Sequence, residues 1–176
     1  MEAAAKDLAP GAAQILIRRA VISDLKAITE IYNEAIVSTT ATFDTEPKTE
    51  AERLSWFEAH GERHPILVAV LGEKVVGWSS ISKWSERPAY VDTAETSFYV
   101  RSEFRGQGIG RRLKEATIEQ ARNLKFHSLI ARVAEGSKES LHLNESFGFA
   151  HVGTLKEVGR KFGRLLDVHI MQKMLD

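Results

Sequence analysis

The chain has 176 residues, 43% of them apolar or aromatic, which suits one domain with one sizeable core. Lys plus Arg number 24 and Asp plus Glu number 24, so no net charge draws the chain to nucleic acid or an anionic membrane. Cysteine is absent, which excludes disulfides, thiol nucleophiles and thiolate metal sites and fits a reducing, cytoplasmic setting. The longest apolar run, Ile66 to Leu71, is far short of the roughly 20 residues of a spanning helix, so no membrane association is expected.

Residues 1–14 are small, mixed in charge and broken by Pro10-Gly11, and read as a flexible tail. Residues 15–176 read as a single domain, with no repeat and no second shift in composition. Ile15 to Arg19 is a short strand. Ser23 is placed to cap a helix with Leu25, Ile28, Ile31, Tyr32, Ala35 and Ile36 on one face. A β-branched, polar stretch from Ser38 to Lys48 predicts a loop. Thr49 and Glu52 form a capping box that starts a second helix, ended by Gly61. Pro65 to Ser82 reads as a hairpin turning at Gly72. Glu95 to Val100 is a strand, Ile109 to Leu124 an amphipathic helix, and His127 to Val133 another strand. Ser137 to Phe147 is a helix stopped by Gly148, and the remainder alternates as two strands turning near Gly163. The order β-α-α-β-β-β-α-β-α-β-β predicts a mixed α/β sheet with antiparallel hairpins before one βαβ crossover.

The chemistry concentrates at Arg105-Gly106-Gln107-Gly108-Ile109-Gly110, directly after a strand and directly opening a helix. Three glycines let the backbone approach a ligand, and the free N–H groups of the helix start make an anion site suited to a diphosphate. A P-loop requires Gly-Lys-Ser/Thr, whereas Arg111-Arg112 follow Gly110. A Rossmann site requires its third glycine where Arg111 stands and an acid at the end of the next strand, where Ile130-Ala-Arg-Val has none. The histidines suggest no metal site: His60 and His64 have helical spacing, but Gly61 and Pro65 break the helix.

The same hexapeptide resembles the Arg/Gln-x-x-Gly-x-Gly/Ala signature of the GNAT superfamily of acyl-CoA-dependent N-acetyltransferases. The likeness is closer to the phosphinothricin and methionine sulfoximine N-acetyltransferase branch. It is carried by Ile31-Tyr-Asn-Glu-Ala-Ile, Thr42-Phe-Asp-Thr-Glu-Pro, Arg87-Pro-Ala-Tyr, Thr93-Ala-Glu-Thr-Ser-Phe-Tyr-Val, Glu145-Ser-Phe-Gly-Phe and Gly159-Arg-Lys-Phe-Gly-Arg, and spans nearly all of Ile15 to Leu175. The resemblance implies the GNAT fold, a central, mostly antiparallel mixed sheet flanked by helices. It also implies acetyl-CoA as co-substrate, no metal, a small-molecule amine acceptor and a homodimer.

Amine attack on a thioester needs a group to take the ammonium proton and a stabiliser for the developing oxyanion. By resemblance, Glu95 is the base, and the backbone of Phe98, Tyr99 and Val100 holds the pantetheine arm. Arg105, Gly106, Gln107, Gly108, Ile109 and Gly110 hold the diphosphate. Ser137 stands where the superfamily often has Asn and can still hydrogen-bond the cofactor. Asn144 replaces the Tyr or His of the family pattern; an amide does not protonate a thiolate, so it is expected to position coenzyme A. Arg87 is the expected partner of an acceptor carboxylate, with Trp84, Tyr90 and Phe43 as candidate walls. Asp92 and Leu165 fall where the branch shows Trp.

Three functional readings follow. The leading one is acetylation of an amino-acid-like amine such as phosphinothricin, methionine sulfoximine or methionine sulfone. A second keeps the transfer but changes the acceptor to a polyamine or other small amine, and Asp92 would favour it by facing the pocket. A third is a non-catalytic acyl-CoA sensor, allowed by Ser137 and Asn144 and opposed by Glu95.

Overall fold

The structure, a computed structural model, describes residues 14–175, so the tail expected at the N-terminus lies, Gln14 apart, outside the described residues. The elements are β1 (Ile15–Arg19), α1 (Leu25–Ser38), α2 (Glu50–Glu58), β2 (Ile66–Leu71), β3 (Lys74–Lys83), β4 (Thr93–Val100), α3 (Ile109–Asn123), β5 (Ser128–Ala134), α4 (Lys138–Ser146), β6 (Ala150–Lys161) and β7 (Arg164–Met174). Their order matches the expected one.

Local chemistry explains most boundaries. The Thr49 hydroxyl accepts from the Glu52 N–H at 3.3 Å while the Glu52 carboxylate accepts from the Thr49 N–H at 2.8 Å, closing the expected capping box of α2. The start of α1 differs from expectation. Ser23 lies inside a single 3-10 turn, and the neighbouring Asp24 secures the bend. Its carboxylate accepts from the Val21 N–H at 2.8 Å and from both Nη atoms of Arg18 at 2.6 and 2.9 Å. A carboxylate that can also pair with β1 outcompetes a serine hydroxyl for this place.

The seven strands form one sheet in the order β1-β2-β3-β4-β5-β7-β6. All neighbours are antiparallel except β4 and β5. On one face, Ile28 and Ile31 of α1 pack against Val68, Val70, Val75 and Trp78. On the other, Leu113 and Ile109 of α3 pack on Ala69 and Val76, and Ile118 and Ala121 on Ala94, Leu129 and Met171. Both faces of β2 and β3 are thus covered, which is why Ile66 to Leu71 is an unbroken apolar run rather than an alternating one.

The feature that positions the site is a parting of the sheet. β4 pairs with β5 only from Thr93 to Glu95, opposite Ser128 to Ile130. Beyond that point β4 stays bonded to β3 through Val100, and β5 stays bonded to β7 through Ala134. The strands diverge, leaving a wedge in the middle of the sheet.

Candidate active site

A cavity of about 830 Å³ fills this wedge, within the range of small-molecule sites. One wall is β4, including Phe98, Tyr99 and Val100; the other is β5, including Ala131, Arg132 and Val133. The start of α3 closes one end, where Arg105, Gly106, Gly108, Ile109 and Gly110 contribute lining atoms. Gln107 does not line the cavity; its side-chain amide turns back to the Glu103 carbonyl at 3.5 Å.

The turn before α3 has the conformation that the glycines permit. Gly106 and Gly108 have φ of +74° and +78°, and no neighbour stands within 4 Å of where a Cβ would lie on either. The left-handed residue Gly108 occupies the N-cap of α3, so the first amides of the helix face open space rather than a capping side chain. Gly110 instead packs closely, with Leu143 and Phe98 atoms at 3.6 Å from its Cβ position. Arg105 leans on the Val100 carbonyl at 3.2 Å and lies 3.9 Å from Glu34, with half its side chain exposed.

Across the wedge, Ser137 and Asn144 line the same cavity from α4. Asn144 is buried, its Nδ2 donates to the Ser140 carbonyl at 2.8 Å, and its Oδ1 has no partner among the described residues. A buried acceptor without a donor is costly, and a ligand N–H or S–H would satisfy it. Together with the open glycine turn, this fits a long ligand with an anionic end and an amide-rich arm, which is the chemistry of acetyl-CoA. Tyr99, also on the wall, donates its hydroxyl to the Ala41 carbonyl at 3.5 Å; burial pushes its phenol above the usual range, so it stays protonated.

Glu95 sits at the point where β4 and β5 part, with 15% of its side chain exposed. It is not free. Arg132 Nε donates to Oε1 at 2.6 Å and Nη2 to Oε2 at 2.8 Å, a bidentate ion pair across the parting strands. Arg132 lines the cavity and Glu95 does not, so Arg132 is the member of the pair that borders the open space. Sequence reasoning missed Arg132. The signal available was one charge in the otherwise apolar strand Ser-Leu-Ile-Ala-Arg-Val-Ala.

The four candidate acceptor residues are not brought to the cavity walls. Trp84 is half-buried, and Arg87 and Tyr90 are exposed on the loop leading into β4. Phe43 packs against Gly159 of β6, and beside it the Lys161 ammonium donates to the Thr42 carbonyl at 2.7 Å. These contacts fasten the 39–48 loop under the β6–β7 hairpin, which makes Phe43 a packing residue. Lys161 is buried. Phe162, at the tip of that hairpin and largely exposed, does line the cavity, and nothing in the local pattern marked it. Asp92 does not face the cavity: it is exposed and paired with Arg63 at 2.9 Å, which removes the observation that would have favoured a cationic acceptor. No group of three potential metal-ligating side chains occurs among the described residues, and no helix among them is long and apolar enough to cross a membrane.

The Acetyltransferase (GNAT) family matches residues 27–149. A phosphinothricin N-acetyltransferase of Streptomyces coelicolor is 38% identical over 90% of this chain and 95% of its own length. An L-methionine sulfoximine/L-methionine sulfone acetyltransferase of Pseudomonas paraeruginosa is 40% identical over 91% of this chain and 94% of its own. Among solved structures, a GNAT superfamily phosphinothricin acetyltransferase from Sinorhizobium meliloti in complex with AcCoA superposes with a TM-score of 0.88 at 35% identity, covering 92% of this chain and 88% of that one. The parted sheet, the glycine turn at the head of α3 and these likenesses agree: the chain belongs to the GNAT family and is an acetyl-CoA-dependent N-acetyltransferase.

Proposed function

We propose that the enzyme acetylates the amine of a small amino-acid-like acceptor of the phosphinothricin, methionine sulfoximine or methionine sulfone type. The observation that supports this best is the wedge between β4 and β5, lined by the open helix-start turn of α3 and beginning where the strands part beside Glu95. Acetyl-CoA supplies an activated acetyl thioester. The chain would hold its diphosphate on the turn from Arg105 to Gly110 and its amide arm along Phe98 to Val100, with Ser137 and the unpaired Asn144 Oδ1 as further partners. Glu95 would take one proton from the acceptor ammonium; the nitrogen then forms the C–N bond as the C–S bond breaks. The second proton lost by nitrogen goes to the departing sulfur, and Glu95 returns its own to water. No side chain need protonate sulfur directly, because a thiol with a pKa of about 8.5 leaves readily as thiolate.

The setting we propose is a cytoplasmic homodimer that inactivates toxic amino-acid analogues by masking their amines. The exposed apolar side chains Val152, Leu155 and Val158 on the edge strand β6 support self-association. The test is thiol release from acetyl-CoA against phosphinothricin, methionine sulfoximine, methionine sulfone, spermidine and a no-acceptor control. Turnover of the first three is expected; turnover of spermidine alone would refute the acceptor class. Binding of acetyl-CoA without turnover of any acceptor would favour the sensor reading. Replacing Glu95 by Gln should lower kcat about 100-fold or more with acetyl-CoA affinity nearly unchanged, and equal rates at every pH would remove it as the base.

A further inference from the structure

We propose that Arg132 is the receptor for the acceptor's carboxylate, and that binding there releases Glu95 to act as base. The inference rests on the acetyl-transfer reading above. Both oxygens of Glu95 are engaged by one guanidinium, at 2.6 and 2.8 Å. A base held in this way presents few free lone pairs to an incoming ammonium, and the cation paired with it repels that ammonium. Something must draw Arg132 aside.

The arrangement suits an exchange of partners. Glu95 is fixed on the strand and 15% exposed, whereas the Arg132 side chain is 56% exposed and lines the cavity. Arg132 is the member of the pair that can turn towards a ligand. The other charged side chains on the cavity wall, Arg105 and Glu139, belong to the diphosphate end and to α4. Arg132 is thus the cavity cation beside the base. A zwitterionic amino acid carries what the exchange requires. Its carboxylate takes the guanidinium fork in place of Glu95, and its ammonium, one carbon away, takes the freed Glu95. Two ion pairs replace one. A simple amine or polyamine has no anion to offer and meets only the repulsion, so the same arginine attracts one class of acceptor and rejects the other.

The experiment compares L-methionine sulfone with its carboxamide, which keeps the amine and loses the anion. In the wild type, kcat/KM should favour the carboxylate form about 30-fold or more, the scale of a charge-assisted hydrogen-bonded pair. In Arg132→Met the preference should fall below about 5-fold, chiefly through a raised KM for the sulfone, while the carboxamide is acetylated as well as or better than by the wild type. Arg132→Lys, which keeps the charge without the fork, should lie between. Calorimetric titration of both variants with acetyl-CoA reports whether the cavity is intact. Equal losses with both acceptors, or a preference unchanged in Arg132→Met, would overturn the role of Arg132 while leaving acetyl transfer standing. A wild type that acetylates neither compound refutes the reading beneath it as well.

Discussion

Lys114 is the residue whose replacement should most clearly reveal a buried cost in this fold. It lies on α3 with 1% of its surface exposed. Its ammonium donates to Thr96 Oγ1 at 3.1 Å and lies 3.8 Å over the Phe149 ring, with no carboxylate partner among the described residues. Burial, with a small contribution from Lys173, lowers its pKa from 10.5 to about 7. In the unfolded chain the amine is protonated up to its ordinary pKa, whereas in the fold it is neutral above about 7. Between these limits the unfolded state binds the extra proton, so stability rises with pH across the window. At about pH 7.5 the linkage amounts to a destabilisation of about 4 kcal/mol. Lys114→Met removes that term and loses the hydrogen bond to Thr96 and the N–H···π contact of the neutral amine with the Phe149 ring, about 1 kcal/mol each, leaving a net gain of about 2 kcal/mol. In urea, with a slope of about 2 kcal/mol per molar for a domain of this size, the midpoint should rise by about 1 M. Tryptophan fluorescence reads the transition, since Trp56 of α2 and Trp78 of β3 pack in the cluster that α1 covers. At about pH 9.5 most of the linkage term has gone, and the advantage of the variant should vanish. A variant less stable than wild type at about pH 7.5, or an advantage that does not shrink with alkali, would refute the burial argument.

Three further outcomes are expected. Gly108→Val should abolish tight acetyl-CoA binding, raising Kd at least about 10-fold, because a β-branched residue resists the φ of +78° and its side chain enters the space before α3; an unchanged Kd by calorimetry would exclude this turn as the diphosphate site. Gly159→Ala should destabilise the protein by about 1–3 kcal/mol, since its Cβ would overlap the Phe43 ring; an unshifted denaturation midpoint would show that the 39–48 loop moves freely under the hairpin. His60 is depressed below its usual pKa by burial, opposed by its hydrogen bond to the Trp56 carbonyl. The unfolded chain therefore takes up a proton that the fold refuses, and stability falls as pH drops below about 6.5 towards the lower folded pKa. His60→Gln should flatten that fall, which unfolding curves at about pH 7.5 and 5.5 would measure.

The local elements were largely legible because their determinants are local. The Thr49–Glu52 box, the turn at Gly72 and the strand–glycine turn–helix unit from Thr93 to Asn123 depend on neighbours within a few residues. The glycine turn alone was enough to locate an anion site, since it needs only positive φ and a following helix. Asp24 was misjudged for Ser23 because the winning interaction comes from Arg18, on a different element.

What tertiary structure decided are the relations between distant segments. Insertion of β7 between β5 and β6 pairs residues far apart in the chain, and no periodicity encodes that order. The parting of β4 from β5 after Glu95 is likewise invisible in either strand alone, yet it creates the cavity and determines which side chains reach it. Hence Arg87 and Tyr90, conspicuous in sequence, lie on an exposed loop, while Arg132 holds the carboxylate proposed as base. Sequence by itself established the chemistry available, because backbone freedom, charge and hydrogen-bonding capacity belong to residue types. Which of those groups meet is a property of strand pairing across the whole chain, and only the assembled sheet determines it.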